Sequence, residues 1–68
     1  MNVLLNGGPR HLPEGATVAD AVAAAGAEPR SRGLAVALDG EVVPRGMWGD
    51  TLLSEGQAVE VLEARQGG

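Results

Sequence analysis

Residues 34–44 read Leu-Ala-Val-Ala-Leu-Asp-Gly-Glu-Val-Val-Pro. Leu34 to Leu38 run without a charge, the pattern of a central strand covered on both faces. Asp39-Gly40 follows, the dipeptide that two-residue type I′ hairpin loops favour because both positions need a positive φ. Glu41-Val42-Val43 returns as the partner strand, and Pro44, lacking an N–H for the ladder, stops it. A hairpin therefore occupies the middle of the chain.

On its N-terminal side, Ala27 to Gly33 is a polar loop with Pro29, Arg30 and Arg32. Before it lies a short amphipathic helix. Thr17 is placed to cap it, and Asp20 three residues on answers as in a capping box. Val18, Ala21, Val22 and Ala25 follow the i, i+3, i+4, i+7 spacing of one buried face. Gly26 stands where a left-handed terminating residue is wanted. Further out, Val3 to Leu5 reads as a strand, Asn6-Gly7-Gly8-Pro9 as a turn and Arg10 to Leu12 as a second strand, with Pro13 ending the hairpin.

On the C-terminal side, Arg45 to Ser54 is interrupted by Gly46 and Gly49, while Trp48, Leu52 and Leu53 call for burial. A loop containing a helical turn satisfies both demands. Glu55-Gly56-Gln57 is a turn. Ala58 to Glu63 is the last strand, with Val59 and Val61 on one side. The order is hairpin, helix, hairpin, loop, strand. It predicts an α+β chain of the β-grasp (ubiquitin-like) type, a mixed sheet of about four to five strands packed on one helix. The final strand lies beside the first and parallel to it. The domain spans residues 1–63, and residues 64–68 form a C-terminal tail ending in Gly-Gly.

Composition narrows the function. The chain has 68 residues, no Cys, one Trp and neither Phe nor Tyr. Its core must come from Val, Leu and Ala, and it has no disulfide or thiolate metal site to reinforce a domain of marginal size. The formal net charge is −4, and the basic residues are five Arg with no Lys. A chain this acidic lacks the basic face that phosphate backbones and anionic membrane surfaces select. No apolar run is long enough for a spanning helix. Met1 to Leu5 lacks the basic start and long apolar core of a signal peptide, so a cytoplasmic protein is expected.

No catalytic constellation is apparent. His11 is the only His, on a strand expected to be exposed and without an orienting partner. One His with scattered carboxylates makes a poor metal site. Glu14, Glu28, Glu55 and Glu60 read as surface charges. Gly7-Gly8-Pro9 lacks the spacing and the Lys of a phosphate loop.

The unusual feature is Gly67-Gly68. Two residues without a Cβ let a tail thread a narrow channel in a partner. The α-carboxylate of Gly68 is ionised at neutral pH, such groups titrating near pH ~3.5. It can attack the α-phosphate of ATP held by another protein, and a sulfur donor can displace AMP from the resulting acyl-adenylate. The product is a thiocarboxylate able to deliver sulfur to an electrophilic carbon.

Several of these residues form a pattern. Leu34 to Trp48, with Val43-Pro44-Arg45 and Trp48 three residues beyond Arg45, resembles the ThiS sulfur carriers of thiamine biosynthesis. Asn6 after the first strand, Gly15-x-Thr17-Val18 at the helix start and the terminal Gly67-Gly68 resemble them too. The likeness covers essentially the whole chain. It implies a carrier that binds no cofactor, adenylated at Gly68 by a ThiF-like enzyme using MgATP. A cysteine desulfurase or other donor would supply sulfur, and thiazole synthase, ThiG, would receive it. Gly68 matches the modified residue, and Gly67 and Gln66 the residues that thread into partners. Gln66 departs from the family, where a small or apolar residue is expected. Trp48 is expected to pack its ring on a core with no other aromatic. Arg45 is read either as a contact to a partner carboxylate or as solvated.

Three other readings use the same residues. One is a related carrier serving either molybdopterin synthesis, which the Val-Pro-Arg-x-x-Trp element disfavours, or tRNA thiolation. Another is a ubiquitin-like modifier joined through Gly68 to lysines of targets. The last is a structural binding module with an incidental tail.

Overall fold

The computed structural model describes residues 1–64. The strands are β1 (Asn2–Leu5), β2 (Gly8–His11), β3 (Leu34–Leu38), β4 (Glu41–Val43) and β5 (Ala58–Glu63). One α-helix, α1 (Val18–Ala24), and a 3-10 helix (Arg45–Asp50) complete the set. The strands form one mixed sheet in the order β2-β1-β5-β3-β4. β5 runs parallel to β1 and antiparallel to β3, with Leu5 opposite Val59 and Leu38 opposite the same residue. This is the expected β-grasp sheet with its last strand beside its first.

Local chemistry accounts for each turn. Asn6 and Gly7 have φ of 52° and 84°, and Asp39 and Gly40 have φ of 49° and 86°. Both hairpins thus close through two residues of positive φ, as type I′ loops require. The first turn is shorter than Asn6-Gly7-Gly8-Pro9: Gly8 and Pro9 belong to β2, opposite Leu5 and Leu4. Proline is tolerated there because β2 is an edge strand.

At the helix, the Thr17 hydroxyl accepts from the Asp20 amide at 3.4 Å, and Asp20 Oδ2 accepts from the Thr17 amide at 2.8 Å. The capping box is complete. Val18, Ala21 and Val22 are buried, and Ala25 caps the C-terminus with its amide 2.9 Å from Ala21 O.

The core joins these three residues to Val3, Leu5, Leu12, Ala16, Val36, Trp48, Leu53 and Val59. Among the described residues no charged or polar side chain is buried. Two expectations need correction. β3 is covered on one face only: Val36 is buried, whereas Ala35 is exposed. The helix lies on one side of the sheet, and nothing in the described residues covers the other. Leu52 is 65% exposed while Leu53 is buried. The segment runs extended beside the helix start, with Val18 N to Thr51 O at 3.0 Å and Leu53 N to Ala16 O at 2.9 Å. Alternation along an extended chain sends adjacent side chains to opposite sides, so one leucine takes the core and its neighbour the solvent.

Replacing Thr17 by Ala removes the cap acceptor. The expected cost is about 1 kcal/mol, read as a lowered midpoint in urea unfolding followed by Trp48 fluorescence, with the slope unchanged.

Candidate functional site

β5 delivers the chain to its C-terminal segment. Glu63 lies opposite Leu34, and one step further the Ala64 amide donates to Gly33 O at 2.8 Å. Gly33 has φ of 80°, and a Cβ there would stand 2.9 Å from Ala64 O. Only glycine allows this approach without something shifting. The chain thus leaves the sheet from beside the α1–β3 loop, residues 27–33. Gln66, Gly67 and Gly68, the residues read as threading and modified, lie outside the described residues.

Beside this exit is the open face of the sheet. Strand register places Leu4, Leu62, Ala35, Ala37 and Val42 on the side away from the helix, with Glu60 among them. Leu4 is 44% exposed, Leu62 63% and Val42 76%. Apolar side chains gathered on one exposed sheet face make it a candidate interaction surface rather than part of the core. Leu62 stands two residues before Ala64, so this surface and the exit adjoin. The sequence signal is the unbroken apolar run 34–38, which by pattern alone predicts a second buried layer over its outward residues.

Arg45 and Trp48 are brought together. Trp48 is 4% exposed, packed in the core as expected, and its indole N–H donates to Val43 O at 2.8 Å. The Arg45 guanidinium lies over that ring, 4.5 Å from its centroid. It also donates through Nη1 to Pro29 O and through Nη2 to Ser31 O. These contacts within the chain were not foreseen, because the partners lie 16 and 14 residues away in a loop of no regular pattern.

His11 is exposed, with Nδ1 3.2 Å from Asn2 Oδ1. Glu14, Glu28, Glu55 and Glu60 are all exposed. Glu14 pairs with the Met1 ammonium at 3.3 Å, and Glu55 accepts from the Asn2 amide at 2.8 Å. Among the described residues no group of three His, Cys, Asp or Glu is placed to hold a metal ion. Nor is any helix there long and apolar enough to cross a membrane.

The model of the ThiS family matches residues 3–68. The chain belongs to the ThiS family. A crystal structure of the thiamine biosynthesis protein ThiS from Geobacter metallireducens superposes with a TM-score of 0.79 at 31% identity, covering all of both chains. A solution structure of a thiamine biosynthesis protein from the same organism gives 0.78 at 31% identity, over all of this chain and 88% of that one. No curated protein sequence matches.

Within this ThiS-family chain the open face and the core separate by stability. Leu62→Ser should leave unfolding within about 0.5 kcal/mol of the unaltered protein, since the side chain is exposed. Trp48→Ala should cost about 3–5 kcal/mol. Circular dichroism in urea measures both.

Proposed function

We propose that this chain is a sulfur carrier of thiamine biosynthesis whose working group is the carboxylate of Gly68. The observation that carries this reading is the family match, which runs through Gly68. The sheet supports it. β5 ends at Glu63 beside an exposed apolar face, so one partner that accepts the tail also has Leu4, Leu62 and Val42 to cover.

The chemistry falls to partners, and the chain supplies one reacting group. A Gly68 carboxylate oxygen attacks the α-phosphorus of MgATP in a ThiF-like enzyme, and pyrophosphate leaves. The acyl-adenylate carbonyl then takes a persulfide sulfur from a cysteine desulfurase, releasing AMP. A thiol cleaves the S–S bond, itself becoming a disulfide, and the thiocarboxylate remains on Gly68. Thiazole synthase accepts that sulfur. The carrier binds no cofactor of its own in this scheme. Gly67 fits because a side chain there would obstruct a narrow channel, and Gln66 contributes to the tail's fit with its partners.

Incubation with a ThiF-like enzyme, MgATP and a sulfur source should yield an intact mass in which one oxygen is replaced by sulfur. Deleting Gly67 and Gly68 should abolish the change, and an unaltered mass for the full chain would count decisively against the reading. Leu62→Glu should raise the carrier's KM for adenylation at least about tenfold, the equivalent of ~1.4 kcal/mol, because it places a charge in the covered face.

A further inference from the structure

We propose that Arg45 is a positioning residue for the tail: acting through the α1–β3 loop, it fixes the direction in which the chain leaves the sheet toward Gly68. This rests on the sulfur-carrier reading for its consequence, though not for its geometry.

The loop is poorly held by other means. None of residues 27–33 is buried. Its start is tied by the Ala27 amide to Val22 O at 3.2 Å, and Ser31 N to Glu28 O at 2.8 Å closes a local turn. Of its residues only Ala27, at its start, packs against the core. Arg45 provides that hold from a distance, with one fork nitrogen on Pro29 O and the other on Ser31 O. A planar guanidinium serves two carbonyls of neighbouring backbone with two nitrogens in a fixed fork, whereas a lysine presents one nitrogen with freely rotating donors and no flat face to stack on Trp48.

Arg45 is itself held firmly. Pro44, with φ of −58°, ends β4, and the Met47 amide returns to Pro44 O at 2.8 Å. Trp48, buried and bonded to Val43 O, supplies a fixed surface on which the guanidinium stacks. A continuous series of contacts results, from the core through Trp48 and Arg45 to Pro29 and Ser31. Two residues on, Gly33 accepts the Ala64 amide and leaves room for Ala64 O. The loop that Arg45 clamps is therefore the one against which the tail departs.

Gly68 is four residues beyond Ala64, and an extended chain of that length reaches up to ~14 Å. The place at which Ala64 is held sets the region those four residues can reach, and with it how often the carboxylate meets its target. A misplacement of about 1 Å at a reacting centre can cost ~100-fold in rate. A loosened exit leaves the open face able to dock while fewer docked complexes align the carboxylate, so kcat falls and KM stays.

The test pairs adenylation kinetics with hydrogen exchange at the Ala64 amide, read by NMR on the full chain. Arg45→Ala and Arg45→Lys should each lower kcat about tenfold or more with KM within about threefold, and should remove Ala64 protection while Val61, bonded to Asn6 Oδ1, keeps its own. Arg45→Lys retains stem and charge, so it guards against a variant that merely fails to fold. Gly33→Ala should reproduce the pattern from the other end of the contact. A rise in KM at constant kcat would make Arg45 a partner contact and overturn the proposal. So would unchanged Ala64 protection, or rescue of kcat by Lys. If the unaltered chain were not adenylated, the sulfur-carrier reading would fall, and Ala64 exchange would still decide whether Arg45 holds the exit.

Discussion

β5 is the constraint on which the molecule depends. The other four strands are two hairpins, β1–β2 and β3–β4, and they belong to one sheet because β5 lies between them. Each hairpin turn reaches over to secure it. Asn6 Oδ1 accepts from the Val61 amide at 2.7 Å, and Asp39 Oδ1 accepts from the Ala58 amide at 2.9 Å. The same two residues adopt the positive φ their turns require. One short polar side chain therefore shapes a turn and anchors the central strand. Val59, fully buried, sits at the junction of both hairpins with the helix. Because β5 also leads to the tail, closing the sheet sets where the tail begins.

The sheet's two faces divide the apolar residues between folding and recognition. On the helix side, Val18, Val22, Val36 and Val59 are the largest fully buried side chains, and Trp48 is the only aromatic available to fill wider space. A core of such small pieces gives modest stability in a chain of this length. Moving Leu4, Leu62 or Val42 inward would add apolar burial but remove the surface beside the tail. Left in solvent, they keep an apolar face open beside the tail.

Most of the fold was legible because its signals are local. Asp39-Gly40 declared its turn, Thr17 and Asp20 declared the helix start, and alternation in β5 matched its burial. The errors arose where sequence pattern does not distinguish among tertiary outcomes. An apolar run reads the same whether its second face is buried in the chain or left open, so the pattern alone predicts a cover over Ala35 that the fold does not provide. Pro9 reads as a turn residue until β2 is known to be an edge. Trp48 was correctly assigned to the core, as the one large ring must go somewhere. The role of Arg45 was out of reach, since its partners are main-chain carbonyls of Pro29 and Ser31, and carbonyls leave no mark in sequence. Gly33 was legible as a loop residue, but its need to lack a Cβ follows only from the nearness of Ala64.

The first hairpin turn has a consequence for the protein's ageing. Asn6 precedes Gly7, and an asparagine before glycine is the kind most easily attacked by the following backbone nitrogen, closing a succinimide and losing ammonia. Here the carboxamide oxygen is held by the Val61 amide, which keeps the side chain directed across the sheet instead of toward Gly7. Hydrolysis of such a ring leaves aspartate or isoaspartate. Either adds a negative charge to an already acidic chain, and isoaspartate lengthens the backbone in a two-residue loop that has no slack. Aspartate can still accept from the Val61 amide, as Asp39 does from the Ala58 amide, so it is the isoaspartate product that would displace the tether on the central strand, and with it the strand that leads to the tail.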